Sequence, residues 1–479
     1  MSSLEVNGRQ DVVARRTDCI YCGGETGSRE HTFPAALGGR RMNKGILCGD
    51  CNAKFSALDS LLESQLSFLN GAIGVRPDRA DGPKLVSGEA GGEPMAFDHT
   101  GTPVLPGPRT AREEQLPNGR RRVRTEFADE KQVHQWLAEQ KAAGLDVKLL
   151  SRGAGRRFVV DPVSVHWSFG GADAFREVGR IALNFLAHKW PDRARATELR
   201  AFKDFVEGKR LPQVNEPRLV WHAPADVPEI QSSPFAFGHQ VLVVLESERA
   251  YARVRFFSTF DLCVSFGNLI TTEPGAVIFD IDPLAERPPD DLRESTPTTL
   301  PGWVVPPVTD GVTSLEESAS ARLRVLLARV EERQWAARTE GLVDSINATC
   351  TLPKCERVAA VKKLLDPHLG HVLHLARDVA KDFRRTFASD EMGRFAAGIL
   401  DSMVATDNLA SDGLTRMARA SLALALSGLA SAIGSELDTG PLTGKRLRLW
   451  LSGVPGPGAH AVASVLLQLL MRGMVASQK

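Results

Sequence analysis

Four cysteines near the N-terminus constrain the fold of this chain more than any other feature. Twenty-five residues separate two Cys-x-x-Cys pairs, which are Cys19 with Cys22 and Cys48 with Cys51. Two such pairs can place four thiolates around one Zn²⁺ ion in tetrahedral geometry, at Zn–S distances of about 2.3 Å. Because all four positions would be filled, the pattern predicts a closed, structural zinc site with no coordination position left for catalysis.

The rest of the chain argues against a secreted or a membrane protein. The other three cysteines, Cys263, Cys350 and Cys355, are scattered, which is not typical of a disulfide-stapled secreted protein. The first twenty residues lack the apolar core of a signal peptide. The apolar stretches 420–434 and 454–471 fall short of the roughly 20 apolar residues that a membrane span needs. The sequence therefore predicts a cytoplasmic protein with no membrane partner.

Charge is almost balanced over the 479 residues, with 59 Lys and Arg against 58 Asp and Glu. This balance excludes a strongly basic nucleic-acid coat protein, so contact with nucleic acid has to come from a local patch. Basic residues outnumber acids around the cysteine pairs, and the candidate phosphate-binding side chains there are Arg29, Arg41, Lys44 and Lys54. The arginine-rich run 120–124 is a weaker candidate, because such runs are more often the solvated edge of a hairpin.

Three side chains with complementary chemistry lie inside the cysteine frame. Glu30 and His31 are adjacent between the two pairs, and Asn52 follows the last cysteine. Mg²⁺ prefers oxygen ligands, so the carboxylate of Glu30 and the amide of Asn52 suit it. Imidazoles titrate near neutral pH, so an imidazole such as that of His31 can deprotonate an attacking water. Together these groups are the parts needed for metal-assisted phosphodiester cleavage.

The order of these residues resembles a known family. The segment resembles the HNH endonucleases of the zinc-stapled ββα-metal type, and the matching positions are Glu30, His31, Pro34, Leu37, Gly38, Gly39, Asn43, Cys48, Cys51 and Asn52. The resemblance covers roughly the first 60–70 residues. Many members carry Asp before the His, whereas this chain has Glu30.

The resemblance implies a role for each residue of the motif. His31 would be the general base, and Glu30 and Asn52 would hold a catalytic Mg²⁺ or Mn²⁺ ion, separate from the structural Zn²⁺. Asn43 would be the middle Asn of the family's name, usually a structural residue that fixes the loop. The implied fold is a β-hairpin followed by a helix that starts near Asn52.

Taken singly, the same residues have simpler interpretations. His31 could cap a helix or lie in a core, Glu30 could pair with a surface arginine, and Asn52 could be a helix N-cap, a position that Asn favours. The alternative from a different class is therefore a non-catalytic zinc-ribbon module that docks on nucleic acid or on a protein.

Composition divides the chain into three predicted domains. Residues 1–75 would form the nuclease and zinc module, 95–285 an α+β domain of unknown role, and 309–479 a helical domain of unknown role. Linkers rich in Gly or Pro are predicted at 76–94 and 282–308. The expected fold class is thus α+β and multi-domain.

Patterns within the middle segment predict specific elements. Apolar residues from Phe175 to Leu186 recur at helical spacing and stop before Trp190-Pro191. Two strand-like runs, 240–245 and 251–257, would form a hairpin. In the second run the apolar residues share one face, and Arg253 and Arg255 share the other.

The sequence thus predicts a metal-dependent endonuclease that hydrolyses phosphodiester bonds in DNA. RNA stays open as the substrate, because the expected site contacts phosphate and reads no base. The remaining 400 or so residues would supply target recognition, dimerisation or regulation. A homo-oligomer or a partner from a defence system fits this arrangement, although no particular residue points to either.

Overall fold

The structure is a computed structural model. It describes residues 18–78, 82–90, 93–105, 107–153, 163–213, 216–224, 227, 230–287, 291–306, 312–404, 416–452 and 456–477. The chain is mixed α and β with a helical C-terminal region, as the sequence patterns predict.

Strands and helices both occur in the first three hundred residues, and the described elements after them are helical. The strands are β1 (Glu30–His31), β2 (Met42–Asn43), β3 (Val86–Ala90), β4 (Glu93–Phe97), β5 (Pro103–Val104), β6 (Arg109–Gln115), β7 (Arg121–Glu126), β8 (Val163–Ser164), β9 (Val220–His222), β10 (His239–Leu245), β11 (Ala250–Phe256), β12 (Phe260–Gly267), β13 (Gly275–Ile281) and β14 (Leu292–Ser295). The helices are α1 (Gly49–Ile73), α2 (Glu130–Ala142), α3 (Ala172–Lys189), α4 (Pro191–Ala194), α5 (Arg200–Val206), α6 (Val312–Thr339), α7 (Leu342–Ala348), α8 (Lys354–Leu365), α9 (Leu369–Thr386), α10 (Glu391–Met403), α11 (Arg416–Glu436), α12 (Gly444–Leu451) and α13 (Pro457–Ser477). Short 3₁₀ turns lie at Ala35–Leu37, Thr197–Leu199, Thr349–Thr351 and Asp366–His368.

The chain divides into two compact units. The first unit comprises the described residues of Met1–Ser87, Ala96–Thr102 and Val165–Glu331, and the second comprises those of Gly88–Met95, Pro103–Ser164 and Glu332–Lys479. The first unit thus contains both the cysteine-rich segment and most of the predicted middle domain. The division into three domains stays a prediction.

The first unit begins with a β-hairpin followed by a helix. β1 and β2 pair antiparallel, with Glu30 opposite Asn43, and α1 follows six residues after β2 in the sequence. Cys48 caps α1, so the helix begins at Gly49 rather than near Asn52. Leucines at helical spacing bury one face of α1 in the core of the unit, and they are Leu58, Leu62, Leu66 and Leu69.

Two glycines close the loop between β1 and β2. Gly38 has a positive φ of 89°, and a Cβ atom there would lie 2.5 Å from the Pro283 backbone. A Cβ atom on Gly39 would lie 2.2 Å from the carbonyl oxygen of Phe33. The two glycines of the Leu-Gly-Gly portion of the motif are therefore required for steric reasons, because the backbone packs there where no side chain fits.

An antiparallel six-stranded sheet forms the centre of the first unit, in the order β14-β13-β10-β11-β12-β9. The hairpin predicted from the runs 240–245 and 251–257 is confirmed by β10 and β11. The predicted amphipathic helix is confirmed by α3, whose apolar side chains are buried with the sheet in one core. Arg253 and Arg255 are also buried, and both donate to Asp261 of β12, at 2.9 and 2.8 Å.

Both predicted linkers contain strands, which contradicts the linker assignment. Residues 76–94 include β3 and the start of β4, and residues 282–308 include β14, which extends the sheet edge beside β13. Hydrogen bonding to a neighbouring strand compensates for the turn-rich composition of these segments. Residues 79–81, 91–92, 288–290 and 307–308 lie outside the described part of the chain.

The second unit is mainly helical. Its apolar core is built from Trp335 of α6 and from α7 to α13, with α11 at the centre, where Leu422, Leu426 and Leu429 are buried. The helix α11 is longer than the apolar stretch 420–434. Among the described residues, Met417–Glu436 is the one stretch long and apolar enough to cross a membrane, and half of it is buried. A buried core helix passes the same test, so this segment does not indicate a membrane protein.

Candidate functional site

The four N-terminal cysteines form one cluster. Their Sγ atoms all lie within 4.8 Å of one another, and those of Cys22 and Cys48 are 3.6 Å apart. A zinc tetrahedron with Zn–S bonds of about 2.3 Å has S–S edges of about 3.8 Å, so the cluster fits a metal ion such as zinc. The backbone N–H of Cys51 donates to Cys48 Sγ at 3.4 Å and is the main cause that lowers the pKa of Cys48 to about 7, whereas burial raises the pKa of Cys51.

The position of the cluster explains what a metal ion would stabilise. Cys19 and Cys22 precede β1, whereas Cys48 and Cys51 belong to the first turn of α1. The backbone N–H of Ile20 also donates to the carbonyl of Ile46 at 3.1 Å. A metal ion at the cluster would therefore join the two ends of the β-hairpin segment to the start of the helix.

One open cavity of about 560 Å³ lies between β1 and α1. It is lined by three of the four residues that the sequence assigns to the catalytic motif, Glu30, His31 and Asn52, but not by the fourth, Asn43. Asp59, two turns after Asn52 on α1, lines it as well. The convergence follows from the fold, because β1 and the first half of α1 form facing walls of the cavity.

His31 is paired with an aspartate that the sequence analysis missed. The imidazole Nε2 lies 3.1 Å from Asp78 Oδ2, and Arg40 donates to Asp78 Oδ1 at 3.3 Å. Arg40 is itself fixed by the carbonyl oxygens of Ala285 and Arg76, each at 3.0 Å. Asp78 lies in the segment predicted as a linker, and no spacing rule connects it to His31.

Glu30 is held by a helix outside the cysteine-rich segment. It is only 5% exposed, and its Oε1 accepts from Arg180 Nη1 and, at 3.5 Å, from Asn184 Nδ2, both of α3. Burial raises the pKa of Glu30, and the positive charge of Arg180 opposes that rise. Within the described part of the chain both contacts use Oε1, and Oε2 has no protein partner.

Arg180 connects three carboxylates, of which Glu30 and Asp59 line the cavity. It is buried and makes a two-point contact with Glu177 on α3, at 2.8 and 2.6 Å. The same guanidinium donates to Glu30 and to Asp59 of α1. Three acids around one base leave excess negative charge. Burial raises the pKa of Glu177 to about 8, and the positive charge of Arg180 opposes that rise.

The two asparagines of the motif have different surroundings. Asn43 does not line the cavity. Its Oδ1 accepts from the backbone of Gly45 at 2.8 Å, and its Nδ2 lies 3.1 Å from His188 Nδ1 of α3. Asn52 does line the cavity, and its Nδ2 donates to Ser28 Oγ at 2.7 Å. Among the residues described, Asn52 Oδ1 has no partner, and it is the amide atom able to bind a cation.

The predicted phosphate-binding residues do not form one group. Arg29 lines the cavity, but Arg41, Lys44 and Lys54 do not. Lys84, which the sequence analysis did not single out, lines the cavity and forms an ion pair with Glu63.

The arginine-rich run 120–124 lies mostly in the hairpin formed by β6 and β7. Arg121 pairs there with Glu113 at 3.1 Å, and both side chains are exposed. This is the solvated hairpin edge that such runs usually form.

The four-cysteine cluster is the one group of His, Cys, Asp and Glu in the described ranges whose ligand atoms already converge as a metal site requires. The cavity offers oxygen atoms of the kind that Mg²⁺ prefers, Glu30 Oε2 and Asn52 Oδ1, without a converged ligand set. A structural metal ion therefore has direct geometric support. A catalytic cation is supported only by the chemistry of these oxygens.

Comparisons with other proteins identify no relative. No protein-family profile matches this chain, and neither a curated protein nor a solved structure is significantly similar to it. The function of the cavity has to be inferred from its own residues.

Proposed function

We propose that this chain is an HNH-type, metal-dependent endonuclease that hydrolyses phosphodiester bonds in DNA. One observation carries the proposal: Glu30, His31 and Asn52, which the motif brings together in order, line the same open cavity between β1 and α1. A carboxylate, an imidazole and an amide around one open cavity provide a base and oxygen ligands for such a reaction.

His31 would act as the general base. An ionised carboxylate accepts hydrogen bonds only, so the contact with Asp78 places the imidazole hydrogen on Nε2. Nδ1 then keeps the lone pair, which can take a proton from an attacking water. Asp78 orients the ring in this arrangement, and Arg40 in turn holds Asp78.

Glu30 and Asn52 would hold the catalytic divalent cation, Mg²⁺ or Mn²⁺, through oxygens that have no protein partner in the described residues. When bound, such a cation stabilises negative charge on the phosphate and on the leaving oxygen. Arg29 and Lys84 line the same cavity and would attract the phosphate backbone of the substrate. The four cysteines would hold a structural Zn²⁺ ion that keeps β1 and α1 in place.

One observation favours the alternative, a non-catalytic zinc module. Glu30 is almost completely buried and forms an ion pair with Arg180, as a purely structural carboxylate would. In that case the cavity would bind nucleic acid or protein without cutting it. The two proposals differ in whether His31 is required for turnover.

A nicking assay separates these proposals. Zinc-loaded protein is incubated with supercoiled plasmid, single-stranded DNA and structured RNA, each with Mg²⁺, with Mn²⁺ and with EDTA. We expect cation-dependent cleavage of DNA by the wild type and a loss of roughly 10²–10⁴-fold in His31→Ala, the usual contribution of a general base. Cleavage of RNA alone would keep the chemistry and change the substrate.

The control variant is His134→Ala, which removes an exposed histidine of α2 outside the cavity. It should cut as fast as the wild type. If wild type and His31→Ala are equally inactive on every substrate while both retain zinc, the non-catalytic alternative is correct and the endonuclease proposal is wrong.

A further inference from the structure

Three polar side chains on one face of α3 reach the β-hairpin. Arg180, Asn184 and His188 are spaced four residues apart, which places them on the same side of a helix. The first two contact Glu30, and His188 contacts Asn43. Arg180 is 150 residues from Glu30 in the sequence, so this helix lies far outside the segment that resembles the nuclease family.

The orientation of Arg180 is fixed independently of Glu30. Its Nε and Nη2 donate to the two oxygens of Glu177 at 2.8 and 2.6 Å, one turn earlier on the same helix. This two-point contact is the geometry in which a guanidinium is most strongly oriented. Nη1 is therefore presented to Glu30 from a rigid, buried support, with Arg180 itself only 1% exposed.

The contacts of α3 give the two oxygens of the Glu30 carboxylate different surroundings. Oε1 accepts from both Arg180 and Asn184, whereas Oε2 has no protein partner among the described residues. Carboxylates that bind metal ions are commonly held in this way, with one oxygen hydrogen-bonded by neighbouring residues and the other left for the metal. Arg180 also holds Asp59 on the opposite wall, so one guanidinium fixes both sides of the cavity.

We propose that Arg180 is a positioning residue of the cation site, which holds Glu30 by Oε1 so that Oε2 is left for a divalent cation, and that Asn184 assists it. The proposal rests on the proposed function, in which Glu30 is a ligand of the catalytic cation. It adds that α3 forms part of the site, which the cysteine-rich segment alone cannot complete.

A different role for Arg180 predicts the opposite change in cation affinity. If Arg180 merely occupies the place of a cation, its removal should leave the carboxylates free and tighten cation binding. If Arg180 positions Glu30, its loss should weaken cation binding. The sign of the change in Mn²⁺ affinity therefore decides between the two roles.

The experiment measures Mn²⁺ binding to the zinc-loaded full chain by the electron paramagnetic resonance of free Mn²⁺, without nucleic acid. Arg180→Lys keeps the charge and loses the two-point geometry, and we expect affinity to fall roughly 10–100-fold, as for other residues that support metal ligands. Asn184→Leu removes the weaker contact without stranding a charge and should change affinity in the same direction. If Arg180→Lys does not fold, the Mn²⁺ affinity of Asn184→Leu decides between the two roles.

The matched control is Arg176→Gln on the same helix. Arg176 pairs with Asp173 and with the carbonyl of Val206 and does not reach the cavity. Its loss should leave Mn²⁺ affinity unchanged. For the positioning variants, cleavage at saturating Mn²⁺ should return towards the wild-type rate, because a role in affinity is overcome by concentration whereas a folding defect is not.

The outcomes separate this inference from the proposed function. Unchanged or tighter Mn²⁺ binding in both positioning variants overturns the role of Arg180, even if the wild type cuts DNA. A wild type that binds Mn²⁺ and cuts no nucleic acid overturns the proposed function, yet weaker binding in Arg180→Lys would still support the positioning role. If Glu30→Gln binds Mn²⁺ as well as the wild type, Glu30 is not a ligand and the inference is wrong.

Discussion

Glu30 and Asn43 are directly opposite each other in the pairing of β1 with β2, and one helix, α3, holds both side chains. A two-residue ladder makes few backbone hydrogen bonds, so it depends on tertiary contacts to stay in register. Here α3 supplies these contacts from a segment that is distant in the sequence. The hairpin that carries the candidate base is therefore held by α3 and is joined to α1 at the cysteine cluster.

The first prediction concerns the structural metal ion. Cys48→Ser removes one of the four thiolates and keeps a hydroxyl that can still cap α1. We expect loss of bound zinc and local unfolding of residues 18–78, because binding to a structural zinc site contributes directly to folding. Zinc content by mass spectrometry and limited proteolysis measure the two effects.

Cys355→Ser is the matched control, since Cys355 is exposed and outside the cluster. It should keep both zinc and resistance to protease. His31→Ala should also keep its zinc. Full zinc content in Cys48→Ser, or unchanged protease resistance of residues 18–78, would contradict the assignment of the cluster.

The second prediction concerns the partner of His31. Asp78→Ala removes the acceptor for Nε2 and leaves the imidazole free to rotate. We expect cleavage to slow, with a smaller loss than the roughly 10²–10⁴-fold expected for the base itself, because Asp78 acts only through His31. Zinc content should not change.

The steady-state constants distinguish orientation from folding for this variant. The loss should fall mainly on kcat with little change in KM, and Asp78→Glu should recover part of it. Asp50→Asn, which alters an exposed acid in the first turn of α1 away from the cavity, is the control for charge alone. Equal rates in Asp78→Ala and the wild type would leave Asp78 without a role in the reaction.

The sequence predicted those parts of the site that depend on local spacing. Two Cys-x-x-Cys pairs can form a four-thiolate cluster in any fold that brings them together, and this fold brings them together. The helical spacing in 175–186 and the strand-like runs before and after Glu246 also depend on neighbours in sequence, and α3, β10 and β11 agree with them. Such patterns report which face of an element is buried, whatever the rest of the fold is.

The parts that were missed depend on contacts between distant segments. Arg180 and Asp78 lie 150 and 47 residues from the motif side chains that they contact, and no periodicity relates such positions. The alternation at Arg253 and Arg255 is typical of a solvated strand face. In the structure both arginines are buried instead. Each forms an ion pair with Asp261 on the neighbouring strand, and this pairing offsets the cost of burying the charge.

The third prediction tests the close packing of the loop between β1 and β2. Gly39→Ala would place a methyl group 2.2 Å from the carbonyl oxygen of Phe33. Since this neighbour is backbone and cannot rotate away, we expect a loss of about 1–3 kcal/mol in the free energy of unfolding, the usual cost of overpacking. Urea denaturation followed by circular dichroism measures it.

Gly49→Ala is the control for this substitution. A Cβ atom at Gly49, in the first turn of α1, would have no neighbour within 4 Å. It should be neutral or slightly stabilising, by up to about 1 kcal/mol, because alanine restricts the unfolded chain. If both variants have the stability of the wild type, the loop does not pack as closely against Phe33 as the distance at Gly39 requires.

The last prediction concerns the acid stability of the first unit. His239 is fully buried at the start of β10, against the rings of Phe33, Phe256 and Phe257. Burial lowers its pKa from 6.5 to about 3. Between these two values the unfolded chain binds a proton that the folded chain does not. Folding stability from this residue is therefore complete above about pH 6.5 and is lost as pH falls towards 3.

His239→Gln removes the titration and keeps an acceptor for the backbone N–H of Phe257. The difference in unfolding free energy between wild type and variant, from urea titrations at pH 7 to pH 4, should change by up to about 1.4 kcal/mol per pH unit, the value for one proton. The unfolding free energy of the wild type relative to that of the variant should decrease as pH falls. The contributions of the carboxylates common to both proteins cancel in this difference. A difference that is constant over this range would mean that the imidazole is protonated, or has access to water, in the folded state.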